Sequence, residues 1–517
     1  MYKLKIKPVE EMTIEELIGQ VVMIGLPSTS IDQRYIDFIK DKKFGNYILF
    51  ARNYNDTVQM KSMMKELYDF TEEVTGSFPL VSIDQEGGMV VRLFKDVTFP
   101  ASPLTTAATD VENAPYKTGY IIAKDMLKIG INLNLAPCLE INNKLLNPLS
   151  NVRIYGQTKE AVLKHARGFI DGLHAGGVLS CIKHFPGAGS SEKDSHLELP
   201  IINDPQEDLL NFNMYPFRHL LESDALMTSH CLYQSFDVLP STLSPVLLTQ
   251  ILRNEFGFKG LIISDGMEMK AISDHYGVGE GCVLALIAGC DLLLLCHEYD
   301  DQLNAYNAIL EAVKNGRISK ELLQEKVRRI NLAKENVKAG LEKNFSEEPY
   351  EVIQEEHDLM QEIVDKSYTL IKGDAPKLEK NSLVITCNAK VASIVEDEFD
   401  QRDLTQVLKR SFPNHHIEKF NHEQSFVDEV LKNRNNYDNI IVYSYDAYKD
   451  ELQKELVNKL LEQNENIYIV SLKGIADSKY FVNLKNYSCL YEYTPNSLRT
   501  IVNQLKGEIQ LIGHLPE

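Results

Sequence analysis

The chain has 517 residues, so two or three domains are expected, because one hydrophobic core rarely serves more than about 250–300 residues. Hydrophobic residues make up 44% of the chain and charged residues 25%, the usual balance of a globular protein in water. The formal net charge of -20 argues against nucleic acid or an anionic membrane surface as a partner.

The eight cysteines are spread along the chain without a CxxC pair, which favours buried, reduced thiols. The first residues lack the apolar core of a signal peptide, and no apolar run of about 18 residues is present. We therefore expect a cytoplasmic protein without a membrane span.

Short apolar segments alternate with helical patterns through residues 1–335 and predict eight strands. The predicted strands are Gln20–Gly25, Gly45–Phe50, Leu80–Asp84, Ile131–Ala136, Val178–His184, Ala225–His230, Gly260–Asp265 and Asp291–Cys296. Amphipathic stretches between them, such as Thr57–Glu73 and Lys159–Ala175, are typical of helices. Eight such units predict an α/β fold, a parallel (β/α)8 barrel of the TIM type, with a doubly wound sheet as the alternative.

Polar residues at the carboxyl ends of the predicted strands favour the barrel. Asp84 ends the third strand, Lys183 and His184 end the fifth, His230 ends the sixth and Asp265 ends the seventh. Barrel enzymes collect their active-site groups at this face.

The remainder of the chain predicts a smaller second domain. Residues 336–378 are charged and largely helical, and are interpreted as a connector. Strand patterns return at Ser382–Thr386, Asn439–Ser444 and Asn466–Ser471, which predicts a C-terminal α/β sandwich over residues 379–517. No strong catalytic motif occurs in it, so a stabilising or interface role is expected.

The segment from Lys183 to His196 is rich in Gly, Pro and Ser and predicts a loop with mobile character. Within it, Asp194 and His196 are two residues apart, as in proteins where a carboxylate orients an imidazole for proton transfer. A surface histidine remains an alternative. A Ser-His-Asp hydrolase is disfavoured because no GxSxG motif is present, and zinc binding by His184 and His196 lacks a recognised ligand spacing.

Two aspartates could contact a sugar directly. Asp265 is either a turn residue before Gly266 or a nucleophile for an anomeric carbon. Asp84 precedes a glycine pair and could accept hydrogen bonds from vicinal hydroxyls, or form an ion pair with Arg92, and the two roles are compatible.

Four further residues are cationic or dipolar donors suited to a polyhydroxylated, partly anionic substrate. They are Arg153, Lys183, His184 and His230. Taken one at a time, each fits a structural role as well as a functional one.

These segments together resemble glycoside hydrolase family 3, in its β-N-acetylglucosaminidase branch. The matching segments are Gly45–Phe50, Asp84–Gly88 with Arg92, Asn134–Pro137, Arg153–Gly156, Lys183–His196, Met227–His230 and Ser264–Met267. The resemblance covers about residues 10–335. The second domain resembles the C-terminal sandwich of longer members, including the ending Gly513–Pro516.

The resemblance implies a retaining, exo-acting enzyme that releases terminal N-acetylglucosamine from cell-wall fragments containing N-acetylmuramic acid. It implies that Asp265 is the nucleophile and that His196, oriented by Asp194, is the general acid and base. The positions that match sugar-contacting residues are Asp84, Arg92, Arg153, Lys183 and His184. Neither a metal nor an organic cofactor is implied, and the partner is a small sugar substrate.

Two positions depart from the pattern of the family. Glu140 stands where an aspartate is usual, and Ile154 and Tyr155 replace the usual Ser-Phe. Three alternatives remain open, namely phosphorolysis in the same site, a β-glucosidase, and a non-catalytic sugar-binding protein. The last would be favoured only by the loss of Asp265, Asp194 or His196, and all three are present.

Overall fold

The computed structural model describes residues 3–141, 151–188, 198–345, 350–387, 403–463 and 466–516. Its strands are β1 Val22–Gly25, β2 Asn46–Leu49, β3 Leu80–Ile83, β4 Leu133–Asn134, β5 Leu179–Phe185, β6 Ile201–Ile202, β7 Ala225–Thr228, β8 Leu232–Tyr233, β9 Leu261–Gly266, β10 Leu292–Leu295, β11 Thr369–Lys372, β12 Ser382–Thr386, β13 His416–Lys419, β14 Asn439–Ser444, β15 Ile467–Ser471 and β16 Asn486–Cys489.

The helices occupy most of the remaining described chain. They are α1 Ile14–Val21, α2 Gln33–Lys42, α3 Thr57–Thr75, α4 Pro103–Ala107, α5 Ala114–Ile129, α6 Lys159–Gly176, α7 Gln206–Asp208, α8 Tyr215–His219, α9 Lys270–Tyr276, α10 Val278–Ala288, α11 Tyr299–Lys314, α12 Lys320–Asn344, α13 Gln354–Ser367, α14 Leu404–Ser411, α15 Gln424–Asn433, α16 Glu451–Gln463 and α17 Pro495–Leu505, with π-helical segments at Leu209–Asn213 and Val246–Glu255. None of these helices is long and apolar enough to cross a membrane.

Eight parallel strands close a barrel in the order β1, β2, β3, β4, β5, β7, β9 and β10, and β10 pairs back with β1. Each of them overlaps one predicted strand. The prediction of a TIM-type barrel is therefore confirmed, and closure excludes the doubly wound alternative. The strands are buried along nearly their whole length, and the four leucines of β10 are an example, because helices cover a parallel sheet from outside.

Local signals in the sequence explain where the barrel helices begin and end. Thr13 and Glu16 form a reciprocal capping box at the start of α1, and Thr158 caps α6 by accepting the backbone N–H of Ala161. Gly177 caps the C-terminus of α6, and its φ of 90° lies in the left-handed region that favours glycine.

The second domain is built on a six-stranded sheet in the order β11, β16, β15, β14, β12 and β13. The three strands predicted from the sequence correspond to β12, β14 and β15 and occupy its interior. Strand β11 lies in the segment interpreted as a connector, and it pairs antiparallel with β16 at one edge. Strands β11 and β13 are edge strands with exposed residues, so neither forms a continuous apolar run, and the interior strand β16 was not predicted either.

One buried apolar cluster joins the loops of the barrel to the second sheet. On the barrel side it contains Met89, Leu104, Ala108, Val152 and Ile154, and on the other side residues of β12, β14, β15 and β16. Val152 and Ile154 flank Arg153 in the chain. The second domain therefore packs against the loop that carries this arginine.

The buried carboxyl group of Glu492 also links the two domains by hydrogen bonds. Glu492 follows β16 and accepts hydrogen bonds from the backbone N–H of Ser102 (2.7 Å) and the hydroxyl of Thr105 (2.8 Å). Its other oxygen accepts from the hydroxyl of Thr494 at 2.5 Å. Burial raises the pKa of Glu492, although these hydrogen bonds act in the opposite direction.

Replacing Glu492 with leucine should lower the free energy of unfolding by about 1–3 kcal/mol, because three buried donors lose their acceptor. The pKa of Glu492 is raised in the folded protein above its ordinary value of 4.5. The free energy of unfolding should therefore fall as the pH rises above 4.5, because the unfolded chain then releases this proton more readily than the folded protein does. The matched Glu492→Gln variant should therefore show a flatter fall in stability with rising pH. Urea unfolding from pH 4 to pH 8 measures both effects, with the exposed Glu508→Gln as control; unchanged pH dependence in Glu492→Gln would contradict the prediction.

Candidate active site

A cavity of about 280 Å³ opens at the carboxyl ends of the barrel strands. Six of the predicted site residues line it, namely Asp84, Arg92, Arg153, Lys183, His184 and Asp265. The topology explains this convergence: Asp84 follows β3, Lys183 and His184 lie in β5, and Asp265 lies in β9. Asp194 and His196 lie outside the described residues, so their roles stay predictions.

A four-residue ion cluster forms one wall of the cavity and consists of Asp84, Glu86, Arg153 and Lys183. The ammonium of Lys183 lies 2.6 Å from Asp84 Oδ1 and 2.6 Å from Glu86 Oε1. Arg153 donates to both oxygens of Glu86, from Nε to Oε2 at 2.8 Å and from Nη2 to Oε1 at 2.7 Å. This bidentate geometry fixes the guanidinium plane.

The cations and carboxylates of the ion cluster stabilise one another's charged forms. Burial by itself would raise the pKa of Glu86, but the charges of Arg153 and Lys183 lower it well below its usual range. Burial likewise opposes the charge of Lys183, but Asp84 and Glu86 raise its pKa. Glu86 and Lys183 are therefore ionised at neutral pH, and the partly exposed carboxylate of Asp84 lines the cavity beside them.

A turn made by two glycines places Glu86 in this cluster. Gly87 and Gly88 have φ values of 104° and 61°, in the region that L-residues rarely adopt. A Cβ atom on Gly87 would lie 2.2 Å from the carbonyl oxygen of Ala101. The glycine pair noted in the sequence is thus required by backbone conformation and by close packing.

Replacing Glu86 with glutamine should lower the free energy of unfolding by about 3–5 kcal/mol, because two buried cations lose a shared partner. Since the folded-state pKa of Glu86 is depressed, its stabilising contribution is present above about pH 4.5 and is lost as the pH falls below that value. In urea unfolding, the free energy of unfolding should fall less between pH 7 and pH 4 in Glu86→Gln than in the wild type.

The matched control for this experiment is Glu280→Gln, which removes a surface pair with Arg317. It should change stability far less, since exposed ion pairs contribute little. Equal losses in the two variants would contradict the assignment of a tightly coupled cluster.

His184 is held by the residue that departs from the family pattern. Its Nδ1 lies 2.7 Å from Glu140 Oε1, and the same oxygen accepts the backbone N–H of His184 at 2.9 Å. Burial would raise the pKa of Glu140, but the contacts with His184 hold it below its usual value. The carboxylate therefore orients the imidazole, a role that was not predicted for Glu140 from the sequence.

His230 lies behind the cavity, in place of the sugar-facing position predicted for it. The side chain is fully buried, with Nδ1 2.8 Å from Thr242 Oγ1 and Nε2 2.9 Å from the carbonyl oxygen of Gly266. Both ring nitrogens thus contact protein atoms. His230 supports the backbone next to Asp265 and is absent from the cavity lining.

Asp265 is half-buried and is the next-to-last residue of β9, at the carboxyl end of the strand. Its Oδ1 accepts the backbone N–H of Gly266 at 2.8 Å. The cavity residues that were not predicted include Arg52, Glu268 and His297. Arg52 and His297 follow β2 and β10, so the rule that polar residues at strand ends gather at one face would have found them.

One group of residues has the composition of a metal site. Ligand atoms of Cys138, Glu140 and His184 lie within 4.8 Å of one another, among the residues that the structure describes. However, Glu140 already accepts from His184, and the Cys138 thiol donates to Glu86 Oε2 at 3.7 Å. The neighbouring cation Arg153 also opposes a further positive charge.

The cavity combines a carboxylate at a barrel strand end with a wall of ionised, hydrogen-bonding groups suited to hydroxyls. Fold and cavity together are those of a (β/α)8-barrel enzyme.

The chain belongs to glycosyl hydrolase family 3. Residues 13–333 match the N-terminal domain of this family. The match spans the barrel and therefore carries the whole of the cavity described above.

Individual relatives agree with this membership. The chain is 32% identical to a beta-hexosaminidase of Actinobacillus pleuropneumoniae over 286 residues, which cover 54% of this chain and 81% of that protein. It is 32% identical to a beta-hexosaminidase of Tolumonas auensis over 303 residues, covering 57% of this chain and 86% of the other. It resembles a solved family 3 beta-N-acetylglucosaminidase from Paenibacillus sp. with a TM-score of 0.89, 32% identity and 98% of both chains covered.

Proposed function

We propose that this protein is a retaining β-N-acetylhexosaminidase that removes terminal N-acetylglucosamine from the end of a glycan. The observation that carries the proposal is that Asp265 shares one cavity with the ionised side chains of Asp84, Arg153 and Lys183. The similarity to beta-hexosaminidases over the barrel supports the class of reaction. A half-buried carboxylate beside a polar sugar site is the arrangement required for nucleophilic glycosidase chemistry.

In the proposed first step, a carboxylate oxygen of Asp265 forms a bond to the anomeric carbon. The bond from that carbon to the leaving-group oxygen breaks, and the oxygen takes a proton from His196. In the second step His196 removes a proton from water, whose oxygen displaces Asp265 and releases the sugar with its configuration retained. The roles of His196 and Asp194 rest on the sequence motif.

Asp84 is proposed to recognise the sugar by accepting hydrogen bonds from its hydroxyl groups. Lys183 lies 2.6 Å from one of its oxygens, and Arg92 Nη2 lies 3.8 Å from the other. These cations fix the orientation of the carboxylate, while its partial exposure leaves it open to a ligand. Arg92, Arg153, Lys183 and His184 complete the proposed sugar site from the same wall of the cavity.

The proposed physiological substrate is a cytoplasmic cell-wall fragment in which N-acetylglucosamine is linked to N-acetylmuramic acid. A neutral or anionic leaving-group sugar is compatible with the arginines that line the cavity, Arg52, Arg92 and Arg153. No metal or organic cofactor enters the proposed steps.

Mass spectrometry of the products from a defined N-acetylglucosaminyl–N-acetylmuramic acid disaccharide tests the proposal, with and without inorganic phosphate. Hydrolysis predicts free N-acetylglucosamine under both conditions, and NMR should detect the β-anomer first. A sugar 1-phosphate formed only with phosphate would identify a phosphorylase. A nitrophenyl glycoside series in which the glucoside reacts faster than the N-acetylglucosaminide would identify a β-glucosidase.

A further inference from the structure

Glu268 has one carboxyl oxygen without a hydrogen-bond partner among the residues that the structure describes. The residue follows β9, three positions after Asp265, and lines the cavity. Its Oε1 accepts the backbone N–H of Cys296 at 2.5 Å. Its Oε2 is buried and has no hydrogen-bond partner among the residues that the structure describes.

Such an atom is costly, because a buried polar oxygen without a partner loses the hydrogen bonds it had with water. Native proteins usually satisfy buried carboxyl groups with protein atoms or ligands. Burial also raises the pKa of Glu268 to about 7, although the backbone N–H groups of Glu268, Cys296 and His297 act in the opposite direction. Near neutral pH the carboxyl group therefore samples both protonation states, and Oε2 can either accept a hydrogen bond or donate one.

The position of Oε2 connects it with the reacting end of the cavity. A Cβ atom built on Gly266 would lie 3.6 Å from Glu268 Oε2, and Gly266 directly follows Asp265. Gly266 and Glu268 both line the cavity. Oε2 of Glu268 therefore lies near the backbone that directly follows Asp265.

Arg52 also lines the cavity, but its hydrogen bonds go to groups other than Glu268. Arg52 donates from Nε to the carbonyl oxygen of Leu26 at 3.0 Å and from Nη2 to that of Cys296 at 2.5 Å. Its Nη1 lies 3.0 Å from His297 Nδ1. These contacts tie the ends of the strands together and hold the Cys296 backbone that in turn holds Glu268.

We propose that Glu268 determines sugar specificity by forming a hydrogen bond from Oε2 to one hydroxyl group of the sugar that reacts at Asp265. A hydroxyl group fits because it both donates and accepts, matching a carboxyl group that changes protonation state near neutral pH. Glu268 contributes to recognition in this proposal and takes no part in bond making. The inference rests on the proposed glycosidase function and extends it.

The experiment compares Glu268→Met, which removes the polar atoms, with Glu268→Gln, which keeps an acceptor for Cys296 and a second polar atom. Substrates are nitrophenyl β-N-acetylglucosaminide and its 3-deoxy, 4-deoxy and 6-deoxy analogues. On the parent substrate, kcat/KM should fall about 10- to 100-fold in Glu268→Met and much less in Glu268→Gln. On the one analogue that lacks the partner hydroxyl, wild type and Glu268→Met should be nearly equal.

Activity of Glu268→Met on that analogue also reports correct folding, since a misfolded variant would lose activity on every substrate. The surface variant Glu280→Gln serves as the matched control. A loss of the same size on all four substrates, or no loss on any, would overturn the proposal. If the wild type cleaves none of these glycosides, the proposed function fails instead, so the two failures are distinguishable.

Discussion

Replacing Asp265 with asparagine should lower kcat by about 10⁴-fold or more on every substrate, because removal of a nucleophile abolishes a covalent pathway. The structure supports this expectation, since Asp265 lies half-buried at the end of β9 in the cavity that carries the ion cluster. The loss should not depend on the leaving group, because the attack on the anomeric carbon is missing in every case. Steady-state kinetics with activated and natural glycosides measures it.

Two further measurements make this prediction specific to the nucleophile. A fluorinated sugar that slows the second step should label Asp265 in the wild type, as located by peptide mass mapping. Azide should rescue an Asp265→Gly variant and yield a glycosyl azide of inverted configuration. The exposed Asp274→Asn on α9 is the matched control and should stay near wild-type activity. A label on another residue would reject the assignment.

Replacing His196 with alanine should lower kcat/KM by about 10²–10⁴-fold on a natural disaccharide, the usual range for loss of a general acid. The same variant should lose much less on nitrophenyl or dinitrophenyl glycosides, because their leaving groups depart without a proton. This dependence on leaving group separates proton transfer from binding, since a binding defect would affect all these substrates alike.

The alkaline limb of the pH profile of kcat/KM gives an independent check on His196 as the general acid. An imidazole with an ordinary pKa of about 6.5 is available as acid below that value and as base above it, so loss of His196 should remove the corresponding pH dependence. The exposed His275→Ala on α9 is the control. Full activity of His196→Ala toward the natural disaccharide would contradict the predicted dyad with Asp194.

The architecture of the barrel could be predicted because its signals are local. Each barrel strand is a short apolar run, and each of the long helices α3 and α6 has a capping side chain and a terminal glycine. Such patterns are visible in one sequence without knowledge of distant contacts. The edge strands β11 and β13 were missed for the same reason, because residues that face solvent at an edge lack an apolar run.

The site was predicted in part. The carboxyl-end positions of Asp84, Lys183 and Asp265 follow from strand boundaries and from the topology of a parallel barrel. The pairing of Glu86 with Lys183 and Arg153 does not, because these residues come from three separate loops and strands. The misplacement of His230 has a similar origin, since a strand-end position does not specify whether a side chain faces the cavity or the core behind it.

The sequence by itself determined the alternation of strands and helices, the barrel that follows from it, and the polar residues at the ends of its strands. These depend on spacing between neighbours, which the chain carries directly. Only the tertiary structure decided which charged groups neutralise one another, that Val152 and Ile154 beside Arg153 pack with the second domain, and that Glu268 keeps an oxygen without a hydrogen bond among the described residues. Burial and distance set these properties, because charge and hydrogen-bonding energies depend on neighbours brought together by folding.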